Sequence, residues 1–418
     1  MDKLFEKIPH MLMGAELEQR LTYLPDYDPN ICKADVGTRI VVLNQLSEIY
    51  IPSQMTYEIY SKIYLSMIHS LGKKQTIDSV RQGNENHRRI QCLSYNSILG
   101  GSDSFSIIGK SGIGKSTAIA KSIEISEGLE VISLKNPYTN IIPFINIQCP
   151  HDCSIKGLLL SILGQVDMTI GTTYRDSAIK AKASIDVLIG MVAQVSLNHI
   201  LVIIVDECQN ICRNKNGVNL VSAMTQLINS SGISICLVGL PETEELFQRE
   251  MHLARRSIGL SYLESPFDDY FVRFCETVYS YQYVANPLPI TPEVIETLYQ
   301  CSNGVIGLVV SLLIESQQMA ILSGKEELTK EVILSTFHTR MKNLQNFIDT
   351  ELIKGSQTST IPKKKNIIEK PKDIAETKNK TITQTVSIKE LVKQAKEKKE
   401  DIVELLKESD IQIMEVAL

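Results

Sequence analysis

The stretch that decides the fold is Gly109-Lys110-Ser111-Gly112-Ile113-Gly114-Lys115-Ser116. It matches the pattern G-x-x-x-x-G-K-[ST], follows the apolar run at 106–108 and precedes a helix-compatible run at 117–120. A strand, a glycine-rich loop and a helix in this order form a P-loop, whose backbone N–H groups surround phosphate oxygens at the positive end of the helix. We therefore expect ATP to contact Gly109, Lys110, Ser111, Gly112, Ile113, Gly114, Lys115, Ser116 and Thr117.

An acidic pair lies downstream, where the apolar run 200–205 ends in Asp206 and Glu207. A buried parallel strand would bring these carboxylates to the sheet edge that holds the P-loop, which is the arrangement called Walker B. Lys115 is then expected to reach the β- and γ-phosphates, and Ser116 and Asp206 to hold Mg²⁺. Glu207, one residue beyond the metal ligand, is expected to polarise the attacking water, so that Glu207 and Lys115 form the catalytic pair.

Three further residues are weaker candidates. The apolar run 233–238 is expected to be another strand, and Thr243 beyond it is a candidate for sensing the γ-phosphate. Arg255 and Arg256 lie where an arginine finger could reach the ATP of a neighbouring subunit and stabilise the transition state. An ordinary pair of surface arginines is the alternative at these two positions.

The spacing of apolar residues predicts an α/β core, with a parallel sheet flanked by helices. Strand-like runs at 106–108, 144–147, 200–205 and 233–238 alternate with helical segments, while residues 267–338 show helical spacing alone. Beyond residue 354 the composition is rich in Lys, Glu, Thr and Ser, which is typical of a flexible chain. A helical stripe at 388–406 within this tail could bind a partner. The predicted domains are an N-terminal extension at 1–95 with a helix-like run at 55–71, a core at 96–265, a helical lid at 266–353 and a lysine-rich tail at 354–418.

The bulk composition is that of an ordinary soluble protein. The chain has 418 residues, 43% hydrophobic and 22% charged, with a formal net charge of −5. No apolar run approaches the roughly 20 residues needed to cross a bilayer, and the first residues do not resemble a secretory signal, so we expect a cytoplasmic protein with no membrane contact. The nine scattered cysteines favour reduced thiols over a disulfide framework. The spacing of Cys149, His151 and Cys153 argues against a zinc site, because structural sites favour C-x-x-C pairs.

The order of these elements resembles that of the AAA+ ATPases over roughly residues 90–345. More narrowly, the segment 147–158, which reads Ile-Gln-Cys-Pro-His-Asp-Cys-Ser-Ile-Lys-Gly-Leu, resembles transposon target-DNA ATPases of the TnsC/TniB type, as does the segment 206–210, which reads Asp-Glu-Cys-Gln-Asn. The resemblance implies an AAA+ P-loop core with a small helical lid. The lid sequence Gly304-Val305-Ile306-Gly307 lacks the arginine that often senses nucleotide in AAA+ proteins, so slow, regulatory hydrolysis is expected.

The same resemblance implies a transposition regulator. Such a protein assembles as a homo-oligomeric ring or filament on double-stranded DNA in its ATP state, and links a target-selection protein to the transposase subunits. Hydrolysis, helped by Arg255 or Arg256 of a neighbour, would dissolve the assembly. DNA contact would be to the backbone with weak sequence specificity, and the nearest basic candidates are Lys156, Arg175, Lys180 and Lys182. The N-terminal extension and the tail are candidate docking elements for the selector and the transposase, respectively.

Other functions stay open at this stage. A secretion ATPase of the ExeA type shares part of the narrower pattern, and a signalling ATPase could oligomerise on a protein ligand instead of DNA. A P-loop phosphotransferase acting on a small molecule is a third class, but the chain shows no recognisable acceptor site. Dependence of assembly on DNA would distinguish a transposition regulator from a signalling ATPase.

Overall fold

The computed structural model describes residues 5–99, 104–127, 131–135, 138–244 and 259–342. The arginine-finger candidates Arg255 and Arg256 lie outside these residues. So does the whole lysine-rich tail, including its predicted helical stripe. The predictions made for them are neither supported nor contradicted by the fold.

A six-stranded sheet forms the centre of the described residues. Its strands lie in the order β2-β3-β4-β5-β1-β6. β2 pairs antiparallel with β3, and every other neighbouring pair is parallel. The strands are β1 Phe105–Gly109, β2 Ile132–Lys135, β3 Tyr138–Gln148, β4 Ile200–Asp206, β5 Ser234–Gly239 and β6 Leu260–Tyr262. The predicted α/β class is thus confirmed, with a mixed but mostly parallel sheet.

Four of these strands coincide with the predicted runs, whereas β2 and β6 were not predicted. β6 has three residues with partly exposed side chains, so it gives no apolar run that stands out in the sequence. It is held by pairing with β1, where Gly109 lies opposite Tyr262. β2 is an edge strand that folds back on a β3 longer than expected, because β3 begins at Tyr138 and not near residue 144.

Helices cover both faces of the sheet. Alternate residues of β4 point to opposite faces, with Val202 and Ile204 in one apolar cluster and Ile203 and Val205 in the other. Each such fully buried aliphatic side chain contributes about 1.5–3 kcal/mol relative to an exposed one. The first face is covered by helices Gln54–Lys74 and Lys115–Glu127, and the second by helices Ile155–Ile170, Ile185–His199 and Gly217–Ser231.

Along the chain, the remaining α-helices come before the first strand, between strands and after the last strand. The first group is Gly14–Leu21, Val36–Val42 and Ile77–Ile90, and the two short core helices are Tyr174–Lys180 and Gln209–Arg213. The expected helical region after the sheet is confirmed by four helices, Asp269–Ser280, Pro292–Ser302, Ile306–Leu322 and Lys330–Arg340. We call these four helices the lid.

The first described residues pack against the lid. We call residues 5–53 the arm. Its side chains Leu43, Leu46, Ile49 and Ile51 belong to the same apolar cluster as the lid helices. The buried Arg39 guanidinium donates to both carboxylate oxygens of Glu326 at 2.7 and 2.8 Å, and to the Tyr283 carbonyl at 3.0 Å. The arm is therefore an integral part of the lid core, and its predicted role as a docking element stays a prediction.

No single helix among the described residues combines the length and the apolar composition needed to cross a membrane. The pair Pro292–Ser302 and Ile306–Leu322 reaches those values only when joined, and the two helices are bent by 115° at the break between them.

Candidate nucleotide-binding site

The P-loop lies between the end of β1 and the helix Lys115–Glu127. Gly112 and Gly114 have φ angles of +79° and +97°, a region that only glycine adopts without strain. A Cβ atom at Gly109 would lie 2.6 Å from the Ile113 side chain and 2.7 Å from the carbonyl of Tyr262 on β6. The glycines that the sequence pattern requires are therefore required by this backbone as well.

The Lys115 ammonium lies inside the loop. It donates hydrogen bonds to the carbonyl oxygens of Gly109 at 2.6 Å and of Lys110 at 2.7 Å. Burial lowers the pKa of Lys115, while the nearby carboxylates of Asp206 and Glu207 act in the opposite direction. A partly desolvated cation at the first residue of the helix Lys115–Glu127 is suited to binding a polyphosphate.

The two acids follow β4 directly. The Asp206 carboxylate accepts a hydrogen bond from the backbone N–H of Glu207 at 2.7 Å. Glu207 has a φ of +59°, and its side chain is exposed. The backbone reverses direction here, and the short helix Gln209–Arg213 begins two residues later.

Both predicted groups line one cavity of about 550 Å³. The P-loop contributes residues 111–117, and Asp206 and Glu207 follow from β4. Gly109 and Lys110 form the root of the loop and do not line the cavity, and Lys110 pairs with Glu264 at 2.9 Å. The hydroxyl of Ser116 and the carboxylate of Asp206 are oxygen ligands, the type that Mg²⁺ prefers. The residues present therefore fit Mg-ATP, with the loop as the phosphate cradle.

Sequence reasoning missed the opposite wall of this cavity. It is formed by arm and adjoining residues between 47 and 56 and by lid residues between 270 and 314, including Ile49, Ile51, Met55, Tyr270, Phe274, Val310 and Ile314. The Tyr270 hydroxyl donates to the Ile51 carbonyl at 3.2 Å, which joins the arm to the lid within this wall. No motif marks these residues, and only their apolar character could have indicated them.

The lid touches the P-loop directly at Gly307. Its backbone N–H donates to the Gly112 carbonyl at 2.9 Å, and a Cβ at Gly307 would lie 2.8 Å from the same oxygen. This close approach leaves no space for a larger side chain at position 307. The absence of an arginine from this stretch of the lid thus coincides with a helix start that packs on the loop backbone.

Thr243, Cys149 and Cys153 do not line the cavity. Thr243 is fully buried beneath Gly239, and its hydroxyl has no hydrogen-bond partner among the described residues. Cys149 and Cys153 are buried, and the described part of the chain holds no group of three or more His, Cys, Asp or Glu residues arranged for a metal ion. The four basic candidates for DNA contact, Lys156, Arg175, Lys180 and Lys182, are all exposed on the described surface.

A P-loop and an acidic strand end that meet at one edge of a mostly parallel sheet, below a helical lid, define an AAA+ type nucleotide-binding protein. Residues 96–259 match the profile of the family described as Bacterial TniB protein. The match confirms the predicted resemblance to TniB-type proteins over residues 96–259. No curated protein matches the chain in sequence.

Two solved structures are distantly similar to the chain. The Aeropyrum pernix ORC1 protein in complex with DNA shares 16% identity at a TM-score of 0.39, with 62% of this chain and 63% of that one covered. The Drosophila ORC bound to DNA shares 12% identity at a TM-score of 0.42, with coverage of 80% and 71%. This chain thus spans less than two thirds of the Aeropyrum pernix protein.

Proposed function

We propose that this chain binds Mg-ATP in the 550 Å³ cavity and hydrolyses it. The observation that carries the proposal is that Lys115 and Ser116 of the P-loop line the same cavity as Asp206 and Glu207. Phosphoryl transfer to water depends mainly on positioning and charge, and these four residues supply the groups that it needs.

The four residues divide three tasks between them. The loop N–H groups and Lys115 bind the β- and γ-phosphates, while Ser116 and Asp206 hold the magnesium ion. Bound Mg²⁺ neutralises charge that develops on the phosphates. Glu207 accepts a proton from the attacking water as the base.

The arm and the lid complete the nucleotide site. Their apolar side chains line the same cavity as the phosphate-binding residues, and such a surface suits a purine ring. Binding at both walls would link the lid to the phosphate site, because Gly307 already contacts Gly112. Nucleotide state could in this way change the position of the lid.

At the level of the assembly, we propose that the ATP-bound chain forms a ring or filament on double-stranded DNA and links a target-selection protein to the transposase. The match of residues 96–259 to the TniB family supports this role. Hydrolysis, with Arg255 or Arg256 reaching a neighbour's ATP, would disassemble the oligomer. Removal of the residues after about 355 is expected to leave ATP and DNA binding intact and to abolish transposase recruitment.

Assembly on duplex DNA tests this proposal. The chain is mixed with DNA and a non-hydrolysable ATP analogue, or with ADP, and is examined by gel shift and electron microscopy. We expect rings or filaments with the analogue only, their absence in Lys115→Ala, and their retention in the control Lys121→Ala, whose lysine pairs with Glu124 on the same helix. Assembly that is indifferent to DNA would contradict the transposition role and favour a protein-triggered signalling ATPase.

A further inference from the structure

Gln209 connects Glu207 to a neighbouring strand. Gln209 is the first residue of the helix Gln209–Arg213 and is only 6% exposed. Its side-chain amide nitrogen donates to Oε2 of Glu207, and its amide oxygen accepts from the backbone N–H of Leu240 at 3.3 Å. Leu240 follows the end of β5 and lines the nucleotide cavity.

Glu207 needs such a support. Its φ of +59° lies in the left-handed region, which non-glycine residues rarely adopt, and its side chain is otherwise exposed to solvent. An exposed glutamate samples several rotamers, and ordering it costs conformational entropy. A buried amide that is itself fixed at its oxygen restricts the carboxylate to one arrangement.

The amide of Gln209 is suited to this task because it has a donor and an acceptor on one rigid plane. The donor engages Oε2 of Glu207, so Oε1 is the remaining oxygen that can accept from a water molecule. The acceptor binds the backbone at the tip of β5, so the carboxylate is held relative to a second cavity-lining element.

We propose that Gln209 is a positioning residue for hydrolysis. It fixes the position of the Glu207 carboxylate relative to the backbone that follows β5. The inference rests on the proposed function, because it assumes that Glu207 is the base. Gln209 itself lines the cavity, but the role proposed for it acts through Glu207 and not through a contact with ATP. Loss of the amide should therefore slow turnover and leave nucleotide binding unchanged.

Variants at position 209 distinguish positioning of Glu207 by the amide from packing by the side chain. Gln209→Met keeps the length and approximate volume of the side chain but has neither an amide donor nor an amide acceptor. We expect kcat to fall by about 10- to 100-fold, the range typical of a displaced catalytic group, with KM for Mg-ATP within about twofold of the wild type. Gln209→Asn keeps the amide on a shorter stem and should retain an intermediate kcat.

The adjacent residue provides a matched control. Asn210 lies on the same helix, and its amide nitrogen donates to the Cys149 carbonyl at 3.3 Å, away from Glu207. Asn210→Ala removes an amide of the same helix and should keep kcat close to that of the wild type. Thermal unfolding of all variants shows whether the fold is retained.

The experiment measures steady-state ATPase rates and the binding of a fluorescent ATP analogue for the full chain, Glu207→Gln, Gln209→Met, Gln209→Asn and Asn210→Ala. A wild type that hydrolyses ATP, an inactive Glu207→Gln and a low kcat with normal binding in Gln209→Met would support the inference. An active Gln209→Met, a raised KM as its main effect or an equal loss in Asn210→Ala would overturn the role of Gln209 alone. If the wild type binds ATP but Glu207→Gln turns it over equally fast, the proposed base is wrong and the inference fails with it.

Discussion

The two walls of the nucleotide cavity differ in how the chain builds them. The phosphate wall, formed by residues 111–117 with Asp206 and Glu207, consists of short segments at the ends of β1 and β4. The arm–lid wall, formed by cavity residues between 47 and 56 and between 270 and 314, joins parts of the chain that are distant in sequence. The Arg39–Glu326 pair that fastens the arm to the lid spans 287 positions.

In the proposed function the phosphate wall carries the chemistry, and the arm–lid wall encloses the nucleotide. In that function the phosphate wall acts through backbone N–H groups and four side chains that lie within two short segments, so local sequence defines it. The arm–lid wall acts through apolar contact and closure, and its residues meet only when the whole chain has folded. Damage to the first wall should remove activity without loss of stability, whereas damage to the second should reduce stability first.

The largest expected effect is at Lys115. Lys115→Ala removes the ammonium enclosed by the loop, and losing a partly buried charge that binds phosphate costs about 3 kcal/mol, or about 100-fold in Kd. Titration with a fluorescent ATP analogue measures this change. Lys121→Ala serves as the control on the same helix, and equal affinities in the two variants would contradict the phosphate role.

The next effect concerns the arm. The Arg39 side chain is 5% exposed and Glu326 20% exposed, so Arg39→Ala leaves a largely buried carboxylate without its cation, although the Ala285 N–H still donates to it. Breaking such a pair destabilises a protein by about 3 kcal/mol. Urea unfolding measures the loss, and we expect the ATP site to keep its phosphate affinity in the fraction that stays folded.

A second arm–lid ion pair gives the matched control. Arg273 pairs with Glu18 at 3.1 Å, but both side chains are about half exposed, at 53% and 42%. Solvent weakens such a pair, so Arg273→Ala should change the free energy of unfolding by less than about 1 kcal/mol. A similar loss in both variants would show that the buried pair does not fasten the arm to the lid.

The smallest effect lies where the two walls meet. In Gly307→Ala the new methyl group would lie 2.8 Å from the Gly112 carbonyl, and a backbone atom cannot easily move away. The lid helix must shift, and we expect Mg-ATP affinity to weaken by several-fold, or about 1 kcal/mol. Gly72→Ala is the control, because no atom lies within 4 Å of its added Cβ, and alanine should instead stabilise that helix by up to about 1 kcal/mol. Unchanged affinity in Gly307→Ala would mean that the lid contact does not affect the nucleotide.

The sequence was informative where function depends on neighbouring residues. The P-loop pattern, the acids after an apolar strand and the four main strands could be predicted, because each is encoded within about ten residues. β6 could not, because Leu260–Tyr262 is short and only partly buried, and its pairing with β1 supplies the stability. Ile49 and Ile51 gave no signal either, since nothing local shows that they face Tyr270 and Phe274.

The roles of single side chains could be predicted only in part from the sequence. Gln209 was visible within the Asp-Glu-Cys-Gln-Asn segment, but its two hydrogen bonds required the turn at Glu207 and the neighbouring end of β5. Thr243 is a candidate by its place after a strand, but the structure buries it beneath Gly239. Spacing alone does not determine which polar residue at a strand end faces the cavity.

The measurement that tests the central claim most directly uses radiolabelled ATP and magnesium under single-turnover conditions. It follows the binding of ATP and its conversion to ADP by the full chain and by Glu207→Gln. We predict that both proteins bind ATP with similar affinity, that the wild type converts it to ADP, and that Glu207→Gln is slower by at least about 100-fold. Equal conversion by both proteins would contradict the assignment of Glu207 as the base in this cavity.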